Sequence, residues 1–275
     1  MDAKQQCQIE LELYTQFGSA GRKIGGPKLQ DARGVDGNPH LLVVADCWTN
    51  QVNLYRHHKG EIHFQASMKL TGADGVLKSP RDVALFGDKV LVVDGTANVR
   101  VFKDENGVLE TTYTVNKGSK VNLDCIAANV EGDYFLVADK ITNKVSTHNL
   151  TKGLLRTLDV GITPAFMTFN DGKFAVSDHE AEKVCIFDVE SGAMVSEFRA
   201  PSVRGVSFHQ RSVIAACSDG LFGSGSLRQY VDGELVGKIA DGLFFPQGMA
   251  FLSHDKLAVA DKTTAKVFRV RPLMS

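Results

Sequence analysis

Short apolar runs alternate with polar turns along the whole chain, and one pattern keeps returning. In LLVVADCWTNQV (41–52) an unbroken apolar run ends in Asp46, a polar turn carries Asn50, and a second strand-like segment starts at Val52. Runs of this length, rich in β-branched residues and apolar at every position, predict strands buried on both faces. The phrase returns as KVLVVDGTANV (89–99), YFLVADKITNKV (134–145), KFAVSDHEAEKV (173–184), SVIAACSDGLFGSGSL (212–227) and KLAVADKTTAKV (256–267). The six aspartates, Asp46, Asp94, Asp139, Asp178, Asp219 and Asp261, are 48, 45, 39, 41 and 42 residues apart.

Each phrase has the same neighbours. A short apolar segment precedes it: Arg81–Leu85, Leu123–Ala127, Ala165–Phe169, Arg204–Phe208 and Gln247–Phe251, with a weaker version around Arg33-Gly-Val35. A third strand follows, such as VRVF (99–102) or VCIF (184–187), and then a fourth, such as LETTYTV (109–115) or MVSEF (194–198). Four short strands per roughly 40–45 residues, repeated six times, predict an all-β fold: a six-bladed β-propeller of four-stranded antiparallel blades, with residues 1–275 as a single propeller domain. The sixth unit stops after its third strand, near Val270. The N-terminal segment 8–17, QIELELYTQF, alternates with period two and is the spare strand that would complete the last blade. Closure of this kind also covers an exposed sheet edge.

The repetition decides what the aspartates do. A catalytic carboxylate need occur once, whereas a turn residue recurs with its turn. Aspartate at the end of the second strand accepts backbone N–H groups two residues on, and asparagine four residues later (Asn50, Asn98, Asn143) tolerates left-handed backbone. These carboxylates are therefore read as structural.

Composition narrows the function classes. The formal net charge is −1, with 31 Lys+Arg against 32 Asp+Glu, so nothing in the total demands nucleic acid or an anionic membrane. No apolar run approaches the roughly 18 residues of a membrane helix, and MDAKQQCQIELELY lacks a signal-peptide pattern. The five cysteines form no CxxC pair; reduced thiols, a cytoplasmic location and a monomeric propeller are the expectations, with Cys125 and Cys217 as buried packing residues. The eight histidines fall at unrelated positions of the units, and no GxSxG, GxGxxG or P-loop occurs. No catalytic residue, metal or cofactor is expected.

The recurring pattern, Pro-Arg-x-Val-Ala and then an apolar run ending in Val-x-Asp with Asn four residues later, resembles the NHL repeat. SPRDVALFGDKVLVVDGTANVRVF (79–102) carries it most fully, and FGSAG (17–21) is similar to the lead-in of a first NHL unit. Units three to five lack the Pro-Arg pair, and unit five has a divergent turn. The resemblance implies a recognition module like the C-terminal propeller of tripartite-motif ubiquitin ligases, several of which bind RNA on one face; the ligase elements themselves have no counterpart in this sequence.

A ligand is expected on the rim formed by the inter-blade loops and the turns after the second strands, because loops on a rigid scaffold carry function. The inter-blade segments hold eleven basic residues against six acidic ones, and segment 17–33 alone carries +3. Candidate contacts to RNA phosphates or to an acidic protein partner are Arg22, Lys23, Lys28, Arg33, Lys78, Arg81, Lys120, Lys140 and Arg204. Trp48, the only tryptophan, is placed to stack on a base or anchor a peptide. Phe222, Phe244 and Phe245 would bring aromatic surface to one sector. Neither DNA nor membrane is an expected partner. The alternatives are a plain protein-interaction scaffold and a metal-dependent propeller hydrolase or lyase.

Overall fold

The computed structural model describes residues 8–18, 26–59, 61–68, 77–115, 120–218 and 223–272. Blade 1 consists of β2 (Ala32–Gly37), β3 (Leu41–Asp46), β4 (Gln51–His58) and β5 (Glu61–Met68). Blade 2 is β6 (Asp82–Phe86), β7 (Lys89–Val93), β8 (Asn98–Lys103) and β9 (Leu109–Thr114); blade 3 is β10 (Leu123–Asn129), β11 (Tyr134–Asp139), β12 (Lys144–Asn149) and β13 (Gly153–Asp159). Blade 4 runs through β14 (Phe166–Asn170), β15 (Lys173–Asp178), β16 (Lys183–Asp188) and β17 (Met194–Arg199). Blade 5 holds β18 (Val203–His209), β19 (Ser212–Cys217), β20 (Gly225–Val231) and β21 (Glu234–Leu243). Blade 6 has β22 (Pro246–Ser253), β23 (Lys256–Asp261), β24 (Thr264–Pro272) and, from the other end of the chain, β1 (Ile9–Gly18). The six sheets are antiparallel and four-stranded, and the first strand of each blade lies innermost.

Strand β1 completes the last sheet. Leu11 is opposite Val270 and Phe17 opposite Ala265, with a bulge between Leu13 and Thr15. Its two ends are buried in different places. Ile9 packs into the core between blades 5 and 6, and its N–H donates to Gln229 Oε1 at 3.1 Å. Phe17 packs between blades 6 and 1 against Tyr55, with ring centroids 4.4 Å apart. One strand thus ties three blades.

The unbroken apolar runs are explained by the cores. Six clusters of buried side chains are found among the described residues, one at each blade–blade interface. Along LLVVA, Leu41, Val43 and Ala45 face blade 2, while Leu42 and Val44 face blade 6. In the same way Val90 and Val92 pack on blade 1, and Leu91 and Val93 on blade 3. Period-two side-chain direction sends successive residues to opposite faces, and both faces are covered. Full burial of such side chains contributes about 1.5–3 kcal/mol each.

The turn aspartates do more than close their own turns. Asp46 accepts Thr49 N at 3.4 Å, but its closer bonds come from Gln30 N and Asp31 N, at 2.8 and 3.0 Å, in the connection leading into the blade. Asp139 joins Ile141 N to Asn122 N, and Asp178 joins Ala181 N to Thr163 N. Asp261 accepts Phe244 N and Phe245 N and also pairs with Lys266. Asp46, Asp139 and Asp178 therefore pin the inter-blade connection to the turn that follows them, whereas Asp94 bonds Thr96 in its own turn and pairs with Arg100. Asn50 and Asn143 take left-handed backbone, both at φ 55°; Asn98 does not, and in that shorter turn Gly95, at φ 71°, takes the role. Asp219 lies outside the described residues.

Candidate site at the channel mouth

The six innermost strands enclose the central channel, and the repeat unit places equivalent residues at its mouth. The first position in each unit is Arg33, Arg81, Leu123, Ala165, Arg204 and Gln247; the next is Gly34, Asp82, Asp124, Phe166, Gly205 and Gly248. Glycine at the second position permits close approach. A Cβ on Gly205 would lie 1.8 Å from Gln247 O, one on Gly248 2.6 Å from Arg33 O, and one on Gly34 2.5 Å from the Asp82 Cα. Neighbouring inner strands therefore meet backbone to backbone, and the long side chains of the first position gather over the mouth.

Three guanidiniums and one carboxylate meet there. Arg33 Nη2, from blade 1, donates to both oxygens of Asp124 in blade 3, at 3.1 and 3.0 Å. Arg81 Nη1, from blade 2, donates to Asp124 Oδ1 at 2.5 Å. The Asp124 side chain is 2% exposed, while those of Arg33 and Arg81 keep 22% and 23%. Asp124 belongs to the inner strand β10 and is not one of the turn aspartates. Arginine 81 also packs its guanidinium against Gly95, which lacks the side chain that would crowd it.

Arg204 is the third guanidinium. Its Cζ lies 4.1 Å from the centroid of the Phe245 ring, a cation–π arrangement. Among the described residues no carboxylate pairs with it, and its buried Nε has no hydrogen-bond partner. Burial, and next the positive charge of Arg33, push its pKa below the ordinary arginine value. Arg33 Nε is likewise buried without a partner, and its Cζ sits 5.8 Å from the Phe166 ring.

Below this cluster the channel holds a cavity of about 270 Å³, lined by residues of all six inner strands. Two carboxylates line it, Asp36 and Asp82. Asp36 accepts Leu85 N at 2.7 Å and Gly37 N at 2.8 Å, and burial nonetheless raises its pKa to about 6. Asp82 accepts Ile126 N at 3.1 Å; burial holds its pKa well above the ordinary range, against the opposing pull of its backbone bonds. Each stitches its blade to the next. Neither was singled out in the sequence, although the alignment of the second positions would have brought out Asp82 and Asp124.

The remaining candidates lie further out on the same rim. Trp48 is 74% exposed, so it does not pack across the neighbouring blade. Its turn is joined to the lead-in of blade 2, which carries Lys78, through Ser79 N donating to Asn50 Oδ1 at 2.7 Å. Lys28, Lys78, Lys120 and Lys140 are exposed. Phe245 supports Arg204. Arg22, Lys23 and Phe222 lie outside the described residues. Cys125, Cys185 and Cys217 are buried free thiols, and Cys47 is half-buried. Among the described residues no three metal-ligating side chains converge.

Fold and geometry together define a six-bladed β-propeller, and an architecture of this kind fits a protein-interaction module in general. No known family and no curated protein matches the chain.

Proposed function

We propose that the chain is a non-catalytic recognition module that binds a protein partner carrying negative charge through the rim around the channel mouth. One observation carries this reading: three arginines from separate blades gather there with one carboxylate, which pairs with Arg33 and Arg81 and leaves Arg204 on the Phe245 ring, for a net charge of +2. Trp48 supplies an exposed aromatic anchor, and Lys28 and Lys78 add cations around it. Side chains of these types dominate interface energetics when they become buried against a partner. The similarity of residues 79–102 to the NHL repeat supports placing the module as the substrate-recognition arm of a tripartite-motif ubiquitin ligase.

RNA is the second reading, and the exposed Trp48 ring favours it, since bases stack on such platforms. The net charge of −1 and the engagement of Arg33 and Arg81 by Asp124 work against it. Quantitative affinity capture tests both. The wild type is compared with a Trp48→Ala/Lys78→Glu variant and with a Leu154→Ser variant on the exposed outer strand β13. Loss of an anchor tryptophan costs about 2 kcal/mol of binding or more. Proteins held by the wild type should therefore be lost from the rim variant and kept by the outer-strand variant, with unchanged melting temperatures. Partners retained by the rim variant would place recognition elsewhere. Recovery of RNA alone, with binding that falls steeply with salt, would select the second reading.

A further inference from the structure

The reading of the rim leaves the chemistry of the partner's anion open, and the mouth itself constrains it. Arg33, Arg81 and Arg204 bring three positive charges, of which Asp124 neutralises one. The positive charge of Arg33 adds to burial in lowering the pKa of Arg204, and among the described residues no carboxylate pairs with Arg204. Both have a buried Nε with no partner. A guanidinium is an array of donors in a fixed plane, and that of Arg204 lies against the ring of Phe245. The side chains of Arg33 and Arg204 also keep partial exposure, so a bound acceptor could gain charge-assisted hydrogen bonds there.

A group suited to this place has several acceptor oxygens and about two negative charges. A carboxylate or a phosphodiester carries only one. A phosphomonoester carries about −1.5 to −2 at pH 7 and offers three acceptor oxygens, which suits it to bidentate contact with two arginines. We infer that Arg33 and Arg204, with Arg81 adding its charge, form a pocket for one phosphomonoester on the partner protein, a phosphorylated serine or threonine side chain. This deepens the proposed rim recognition and rests on it for the partner's being a protein. Asp124 pairs with two of the guanidiniums and offsets one of the three positive charges at the mouth.

Calorimetric titration of the full chain tests the inference with four probes: a phosphoserine peptide with neutral flanks, its unphosphorylated twin, a 5′-phosphorylated oligouridylate and its 5′-hydroxyl twin. The phosphopeptide should bind at least about tenfold more tightly than its twin, the equivalent of one charge-assisted contact. Its affinity should drop as pH falls below about 6, where the second phosphate proton returns. Arg204→Gln should lose the preference, and Arg204→Lys should restore part of it; melting curves of both variants confirm that they fold. Equal binding of phosphopeptide and twin, or a preference that survives in Arg204→Gln, would overturn the inference. A phosphate preference seen only with the oligouridylate would also overturn it and assign the pocket to an RNA end. Failure of the rim reading looks different: Trp48→Ala/Lys78→Glu would leave captured partners unchanged while the phosphopeptide preference stays.

Discussion

Replacing Gly205 with alanine should destabilise the protein by about 3 kcal/mol, the upper part of the range for forcing extra atoms into a packed interior. The cause is space and not backbone conformation. A Cβ at this position would sit 1.8 Å from Gln247 O and 2.8 Å from Gln247 C, both atoms of the neighbouring inner strand's backbone. A flexible side chain could swing aside, but these are backbone atoms of an inner strand, and displacing them shifts the strand itself. Gln247 also faces blade 1, where its Nε2 donates to Ala32 O at 3.5 Å, so displacement would spread around the ring. Gly237 on β21 is the matched control. Nothing lies within 4 Å of a Cβ there, and Gly237→Ala should be neutral or slightly stabilising, because alanine narrows the unfolded ensemble. Denaturant titration of the two variants reads the difference directly; coincident curves would show that the inner strands do not meet as described.

The second large effect separates stability from binding. Asp124→Asn removes the one negative charge that holds Arg33 and Arg81, leaving three guanidiniums facing each other at the mouth. Breaking a buried charge pair from one side costs about 3–5 kcal/mol. Both arginines keep about a fifth of their side chains exposed, so water recovers part of that, and a loss of about 2 kcal/mol is expected. The mouth at the same time goes from a net charge of +2 to +3. Affinity for a phosphopeptide should therefore rise while the unfolding midpoint falls. A purely structural network would lower both, and a mouth that takes no anion would change stability alone. Raised salt should shrink the gain in affinity, since partly exposed charges are screened.

Much of this architecture was readable from the chain. A fixed repeat of strand-length apolar runs defines blades, and a unit missing its fourth strand, with a spare alternating segment at the other end, defines the closure. The burial of LLVVA on both faces follows from its lack of polar positions. The second job of the turn aspartates was not readable, because the backbone N–H groups they bind, such as Gln30 N and Asn122 N, leave no mark in side-chain identity. The site was legible in part. Arg33, Arg81 and Arg204 stand out as charges that start inner strands. Their counterion did not, because Asp124 is 91 residues from Arg33 and 43 from Arg81, and only ring geometry brings them together. The exposure of Trp48 likewise depends on how far its turn projects from the neighbouring blade, which residue type does not specify.

The mouth exists only if the ring closes, since its parts come from chain positions spread between residues 33 and 245. Closure is tested most directly at Glu12 and Arg269, exposed partners across β1 and β24. A Glu12→Cys/Arg269→Cys variant should form an intramolecular disulfide under mild oxidation, found by mass spectrometry as one peptide joining both ends of the chain. It should keep the wild-type fold and melt at a higher temperature than its reduced form. A pair that stays reduced, or that links separate molecules, would contradict the closed ring and the arginine cluster built on it.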